Sequence, residues 1–178
     1  MPVRPPSEMP RYFYQGTSES RWDTIEIQGL IPRIKTNVQP AYGDQTSSAR
    51  ESNPNYVYLA GNPDAKTRFA AHDAARLDKS SPVILKIDSR GMDIENLRPD
   101  EDSNAKNWQD SLSIMNSIGY EGEIDPEFVT LYKTFANGKW QDHIIVPSKP
   151  DWLAQQINGT GYKPIPDSTA TYKWVNQK

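Results

Sequence analysis

The sequence predicts an α+β fold in which a largely antiparallel, split β-sheet carries a few flanking helices. Short runs of β-branched and aromatic residues, which are typical of strands, outnumber the segments with helical spacing of apolar residues. Two alternating segments in the second half are separated by Asn137-Gly138, a turn signal of β-hairpins. Strands grouped in this way, rather than alternating regularly with helices, are typical of the α+β class.

The composition indicates a soluble chain with one hydrophobic core. Its 178 residues suffice for a single domain, and 35% hydrophobic residues with 15 prolines indicate many loops. No apolar run approaches the ~20 residues that span a bilayer, and the N-terminus lacks a secretory apolar region. We therefore expect a cytoplasmic protein without a membrane partner.

The residue types also limit the chemistry. Cysteine is absent and only His72 and His143 are present, so we expect no disulfide, no thiolate nucleophile and no metal site. Both histidines are more typical of structural positions. The net charge of -3 gives no global electrostatic reason to bind nucleic acid, although a local basic surface still allows it.

The chain is predicted to have three parts. Residues 1–10 hold four prolines and are expected to form a flexible lead-in. One domain should occupy residues 11–146, and residues 147–178 should form an extension packed on it. Within the domain, residues 33–53 lack apolar periodicity and predict a long loop, which is typical of a lid, a binding loop or plain disorder.

The first elements are a strand and a helix. Residues 12–14 predict a strand that ends in a turn at residues 15–18. Ser20 with Asp23 three residues later predicts a capping box for the next helix, and Gly29 predicts its end.

Residues 56–60 predict a buried strand, because its aromatic and branched side chains carry no charge. A helix should begin at Pro63, with Asn62 as its N-cap and Asp64 in the favourable field of its first turn. Exposed amides converge in such a polar gap between strand and helix, so it is a good place for a ligand.

The second half predicts one more helix and several strands. The apolar run at residues 83–88 predicts a strand deep in the sheet, and the acidic residues 98–102 predict a solvated turn. A helix capped by Ser103 should present one apolar face. That apolar face consists of Trp108, Leu112 and Met115. The strands that follow are predicted at residues 118–124, 128–135 and 139–146.

Taken in order, these patterns resemble the ADP-ribosyltransferase superfamily. The motifs are residues 14–18 (Tyr-Gln-Gly-Thr-Ser), residues 25–32, residues 56–60 with Asp64-Ala65, and the strands at 83–88 and 120–129. Their order agrees over about residues 11–135, and the later strands are most similar to the RNA 2'-phosphotransferase branch. The resemblance implies split, mostly antiparallel sheets.

The resemblance further implies transfer of ADP-ribose from NAD+ to a macromolecule with release of nicotinamide. NAD would be the substrate and no metal would take part. The implied NAD-binding residues lie on the first two strands, and two loop residues would close over the cofactor or meet the acceptor. The first group is Tyr14, Gln15, Gly16, Thr17, Tyr56, Tyr58 and Ala60, and the second is Tyr42 and Arg50.

A carboxylate is expected to stabilise the positive charge that develops on the ribose as nicotinamide leaves. By resemblance to the Glu-x-Glu pattern of the family, Glu123 is the first candidate and Glu121 the second. Aligning the next strand with poly(ADP-ribose) polymerases instead places the family's glutamate near Met115 or Asn116, where this chain has no acid. On residue type alone, two glutamates on a strand edge are ordinary solubilising residues.

Two other functions stay open. Gln15 stands where the RNA 2'-phosphotransferase pattern has a histidine, and phosphate-binding arginines are missing before the second strand, so ADP-ribosyl transfer is preferred over phosphotransfer. A non-catalytic module that binds ADP-ribose, a nucleotide or a protein is the third reading. The acceptor is either protein or nucleic acid. The preferred activity resembles that of the smaller mono-ADP-ribosylating toxins. This resemblance leaves open an antidote or regulatory partner and delivery into a target cell's cytoplasm.

Overall fold

The computed structural model describes residues 9–36 and 52–143, which apart from His143 belong to one compact unit, Met1–Asp142. The predictions for residues 1–8, for most of the loop at 33–53 and for the C-terminal extension lie outside the described residues. Tyr42 and Arg50 are therefore not described, and their assigned roles stay predictions.

The described chain confirms the predicted α+β class, with two antiparallel sheets and three α-helices. The larger sheet has the strand order β1-β3-β6-β7, and the smaller sheet has the order β2-β5-β4. The strands are β1 Tyr12–Ser18, β2 Val57–Leu59, β3 Pro82–Asp88, β4 Leu97–Pro99, β5 Ile118–Tyr120, β6 Val129–Ala136 and β7 Lys139–Asp142; the helices are α1 Glu19–Gln28, α2 Ala65–Asp78 and α3 Trp108–Met115. No helix in these parts of the chain is long and apolar enough to cross a membrane.

Among the described residues, one isolated backbone bridge links β1 to the residue after β2. Tyr14 and Ala60 form an isolated antiparallel bridge, in which each amide donates to the other's carbonyl at 2.8 and 2.7 Å. A second bridge joins Leu30, just after α1, to Ile124, just after β5. Because β1 and β2 belong to different sheets, they border a gap beside the first bridge.

One core joins the two sheets. Phe13, Leu85 and Ile87 of the larger sheet are 0% exposed, as is Ile118 of the smaller sheet. These residues belong to one cluster of buried apolar side chains, against which Trp22 of α1 packs. Burial of each such side chain contributes roughly 1.5–3 kcal/mol, so the two sheets stabilise each other.

Helix α2 lies directly on β1 at Gly16. A Cβ atom at Gly16 would lie 2.0 Å from the Thr67 carbonyl oxygen and 2.8 Å from the Ala71 nitrogen. The predicted turn at residues 15–18 is therefore wrong: β1 continues through Ser18, and Gly16 serves the close approach of a helix to a strand interior.

The helices begin later or earlier than predicted because other side chains cap them. In each case the observed cap accepts a hydrogen bond from the amide three residues on, at 2.8 to 3.2 Å. The observed N-caps are Ser18, Asp64 and Asn107, where Ser20, Asn62 and Ser103 were expected. For α2 the reason is visible, since the Asn62 backbone is held by the side chain of Asn116.

Strand β4 was not predicted. Residues 97–99 pair with β5 at the edge of the smaller sheet, although the polar sequence around them indicated a solvated turn. The turn itself follows as a 3-10 segment at Glu101–Ser103. Strand β5 ends at Tyr120 rather than residue 124. Strand β7 is described as Lys139–Asp142, and the predicted strand residues after His143 lie outside the described residues.

Candidate functional site

A cleft of about 1040 Å³ opens where β1 and β2 part. It is lined by residues of both strands, by α1 and α2, and by the segment after β4. Its volume lies at the upper end of the ~300–1,000 Å³ usual for small-molecule and cofactor sites. The gap between strand and helix after β2, where a ligand was expected, borders this cleft through Ala60 and Asp64.

Gln15 joins the two sheets beside the bridge. Its side-chain nitrogen Nε2 donates to the Tyr58 carbonyl oxygen at 3.1 Å. This bond extends the pairing of β1 with β2 by one residue, using a side chain in place of the backbone. The Gln15 amide is thereby held at the mouth of the gap, where both strands also line the cleft.

Tyr58 and Glu101 form a hydrogen-bonded pair in the cleft lining. The Tyr58 hydroxyl donates to Glu101 Oε1. The Asn53 amide donates both to the Tyr58 hydroxyl, at 2.6 Å, and to Glu101 Oε1, at 3.0 Å. The Tyr58 hydroxyl of β2 and the Asn53 amide before β2 therefore both orient Glu101 Oε1, which lies in the segment after β4.

The Tyr58 phenol is held in its neutral form. Burial raises its pKa well above the ordinary value of 10.0, and the hydrogen bond to Glu101 raises it further, while the Asn53 amide opposes both. A neutral phenol can donate a hydrogen bond at any physiological pH, so it remains a constant partner of the Glu101 carboxylate.

Other acidic residues that line the cleft have structural partners. Asp64 caps α2 through the Thr67 amide. Asp78 accepts hydrogen bonds from Arg21 Nε at 2.6 Å and from the Ser18 hydroxyl at 2.5 Å. Their pKa values are lowered by these hydrogen bonds, which outweigh the opposing effect of burial. Both carboxylates hold elements of the fold together.

The predicted NAD-binding residues are brought together. All seven line the cleft: Tyr14, Gln15, Gly16, Thr17, Tyr56, Tyr58 and Ala60. Thr17 is only 4% exposed, so it offers a ligand little surface. The ring of Tyr56 lies edge-on to that of Tyr58, with their centroids 6.1 Å apart. Two aromatic faces thus flank the cleft on the side of β2.

The two predicted catalytic glutamates lie elsewhere. Glu121 pairs with Arg98 at 2.9 Å and Glu123 pairs with Lys35 at 2.5 Å, and each glutamate side chain is 47% exposed. Neither is among the described residues that line the cleft. The structure places both carboxylates in ion pairs at the protein surface, although burial and the nearby charge of Glu121 raise the pKa of Tyr56 in the cleft lining.

The sequence interpretation missed Glu101 and the role of Asn116. Glu101 belongs to an acidic run whose local pattern is that of a solvated turn, so no local signal marked it. Asn116 ends α3 in the left-handed region at φ 56°. Its Oδ1 accepts from the amides of Gly61 and Asn62, both at 2.9 Å, and thereby fixes the turn between β2 and α2.

Comparison with known proteins adds no relative: no protein-family model matches the chain, and no curated protein is significantly similar to it. Within the described residues, no group of three or more histidine, cysteine or acidic side chains is arranged to hold a metal ion.

Proposed function

We propose that this protein is an NAD-dependent mono-ADP-ribosyltransferase, which transfers ADP-ribose from NAD+ to a macromolecule and releases nicotinamide. The observation that carries the proposal is the cleft between β1 and β2, in which the Tyr58 hydroxyl holds the Glu101 carboxylate and the Tyr58 carbonyl accepts a hydrogen bond from Gln15. Of the motifs that resemble the superfamily, those at residues 14–18, 25–32 and 56–60 border this same cleft.

The chemistry needs one well-placed negative charge. As the bond between nicotinamide and ribose breaks, positive charge develops on the ribose, and a carboxylate nearby lowers the energy of that transition state. The same carboxylate can orient or deprotonate the acceptor group. In this proposal Glu101 takes that role, and Tyr58 is a positioning residue because it orients the Glu101 carboxylate.

The remaining polar and aromatic groups suit NAD. The Gln15 side chain, held at the mouth of the gap, can hydrogen-bond the ribose or the nicotinamide amide. The rings of Tyr14, Tyr56 and Tyr58 line the cleft and provide apolar area for the nicotinamide ring. Backbone groups at the turn after β2 are fixed by Asn116 and therefore keep their geometry when a ligand enters.

Nicotinamide release from NAD+, measured by chromatography with and without cell lysate, tests the proposal. We expect Glu101→Gln to slow release by about 10²–10³-fold, the usual effect of removing such an electrostatic group. Tyr58→Phe should slow it less, because the carboxylate remains. The matched control is Glu123→Gln, which removes a carboxylate outside the cleft and should leave the rate close to that of the wild type.

The opposite pattern is equally informative. Loss of activity in Glu123→Gln, with Glu101→Gln unaffected, would return the catalytic role to the Glu-x-Glu motif. No nicotinamide release from the wild type under any condition would contradict the enzyme itself. Thermal shifts with NAD, ADP-ribose and nicotinamide then separate binding from turnover, since a ligand at a hundred times its Kd stabilises the fold by about 2.7 kcal/mol.

One observation favours a non-catalytic binding module as the second candidate: Glu121 and Glu123, the family-like glutamates, lie outside the cleft. A thermal shift with ADP-ribose or NAD, without nicotinamide release, would support it. Phosphotransfer is less favoured, because Gln15 stands where that branch of the superfamily has a histidine. Incubation with NAD and a 2'-phosphorylated RNA tests it directly.

A further inference from the structure

One face of the larger sheet is only partly covered by α2. The helix lies over Gly16 of β1, where its backbone leaves no room for a Cβ atom. His72 of α2 packs edge-on against Phe135 and Trp140, with ring centroids 4.8 and 5.5 Å apart. Through these contacts α2 covers one end of this face of the larger sheet.

The other end carries a group of partly exposed side chains that we call the tyrosine platform: Tyr12, Tyr14, Lys86 and Tyr132. Lys86 Nζ lies 4.1 Å from the ring centroid of Tyr12 and 5.3 Å from that of Tyr132. The rings of Tyr14 and Tyr132 are 5.3 Å apart and tilted by 53°. Three aromatic rings from two strands therefore surround one lysine from the strand between them.

An irregularity in β6 contributes to this arrangement. Ile84 pairs with Lys133 and Leu85 pairs with Leu131, so β6 holds one extra residue at this point. The extra residue is Tyr132, and its ring also lies 5.3 Å from Lys133 Nζ. Such a bulge re-aims a side chain relative to the regular alternation of a strand. Tyr132 lies two residues beyond Thr130, the partner of Lys86, and is therefore on the side of Tyr14 and Lys86 by regular alternation; the bulge brings Lys133, the partner of Ile84, to that side as well.

The platform is locally cationic although the whole chain is acidic. Arg11 lies 5.2 Å from the Tyr12 ring centroid, and Lys133 lies beside Tyr132. Arg90 shares the carboxylate of Asp88 with Arg11. Two arginines thus share the carboxylate of Asp88, Lys133 pairs with Asp142, and Lys86 lies among the rings.

The aromatic rings and cations of the tyrosine platform indicate which class of ligand it can bind. A cationic ligand would be repelled by Lys86, which already lies among the rings. A polyanion without rings would satisfy the cations but not the tyrosines. An unpaired nucleotide satisfies both, because its base stacks on an aromatic ring and its phosphate meets a cation.

We propose that the tyrosine platform binds single-stranded nucleic acid. Tyr12 and Tyr132 provide stacking surfaces for bases, and Arg11, Lys86 and Lys133 meet the backbone. Tyr14 belongs both to the platform and to the lining of the cleft, so a bound strand reaches the cleft. The binding of single-stranded nucleic acid does not depend on the proposed function. Only the further step, in which the bound nucleic acid is the acceptor of ADP-ribose, rests on it.

Fluorescence anisotropy of the full chain with labelled single-stranded oligothymidylate and oligouridylate, at low salt, tests the proposal. We expect Tyr132→Ala to weaken binding by about 5- to 150-fold, the usual effect of removing one stacking ring. Tyr132→Phe, which keeps the ring, should bind like the wild type. Lys86→Gln should weaken binding and flatten its salt dependence, while Lys106→Gln, which removes an exposed charge outside the platform, should do neither.

Three results would overturn the proposal: no binding by the wild type, equal binding of Tyr132→Ala and wild type, or equal competition by duplex DNA or polyglutamate. The last would show that charge alone attracts polyanions. Thermal melting of each variant establishes that it is folded. Nicotinamide release from NAD+ without any acceptor separates the two proposals, because Tyr132→Ala should leave it unchanged while Glu101→Gln should lower it.

Discussion

At the scale of single residues, backbone packing rather than side-chain chemistry explains why the motif at residues 14–18 contains a glycine. Gly16 is typical of a turn when only its neighbours are considered, yet it lies inside β1 with the Thr67 carbonyl 2.0 Å from where a Cβ would be. Its lack of a side chain lets α2 lie against the strand that borders the cleft. Glycine in this motif therefore has a structural explanation that needs no ligand.

We expect Gly16→Ala to destabilise the protein by about 3 kcal/mol or more, because backbone atoms of α2 cannot yield as a side chain would. Urea unfolding measures the change. Gly122→Ala is the matched control, since the nearest atom to its Cβ would be a ring carbon of Tyr120 at 3.2 Å. A loss in Gly16→Ala no larger than in this control would contradict the packing of α2 on β1.

At the scale of elements, α1 and α2 are tied together by one half-buried ion pair. Arg21 of α1 donates to Asp78 at the end of α2, and Ser18, the N-cap of α1, donates to the same carboxylate. Both charged side chains are 20% exposed. The pair therefore links the beginning of one helix to the end of the other across β1, and both helices line the cleft.

Asp78→Asn should cost roughly 1–3 kcal/mol at neutral pH, because Arg21 loses its charged partner. The hydrogen bonds lower the pKa of Asp78 below its ordinary 3.8, so its stabilisation is complete above that value and is lost as the pH falls through the lowered pKa. The difference between wild type and variant should narrow below about pH 4, as measured by urea unfolding across pH.

Asp73→Asn is the control for this prediction. Asp73 pairs with Arg76 one turn away on α2, and the arginine side chain is 72% exposed, so the change should stay within about 0.5 kcal/mol at every pH. A difference for Asp78→Asn that did not begin to narrow as the pH fell below about 4 would show that its effect does not come from the charge.

At the scale of the whole molecule, the two sheets are expected to unfold together. Leu59, Leu97 and Ile118 of the smaller sheet belong to the same buried cluster as Phe13 and Leu85 of the larger one. The sheets share little backbone pairing, since Tyr14 and Ala60 form a single bridge. Cooperation between them therefore rests on side-chain burial.

Ile118→Ala should lower the stability of both sheets by about 2–5 kcal/mol, because a fully buried side chain leaves a cavity in their common core. Hydrogen exchange of β3 and β5 amides measures each sheet separately and should report equal losses. Ile27→Ala, at a position that is 77% exposed, is the control and should change neither. A loss confined to β5 would contradict the single core.

The sequence by itself determined the class of this fold and the position of most of its elements. Apolar, β-branched runs are strand-forming wherever they lie, so β1, β3 and β6 could be predicted from their own residues, and the Asn137-Gly138 turn before β7 likewise. The cleft residues on β1 and β2 could be predicted because their motifs are local.

Only the tertiary structure decided that Glu101 is held by Tyr58 in the cleft lining. Tyr58 and Glu101 are 43 residues apart, and they meet because β4 pairs with β5, which pairs with β2. Glu121 and Glu123 carry the local pattern of a catalytic pair, but they lie outside the cleft lining and pair with Arg98 and Lys35. Local propensity acts over a few residues, whereas the meeting of distant side chains depends on strand pairing and a shared core, which no short stretch of sequence encodes.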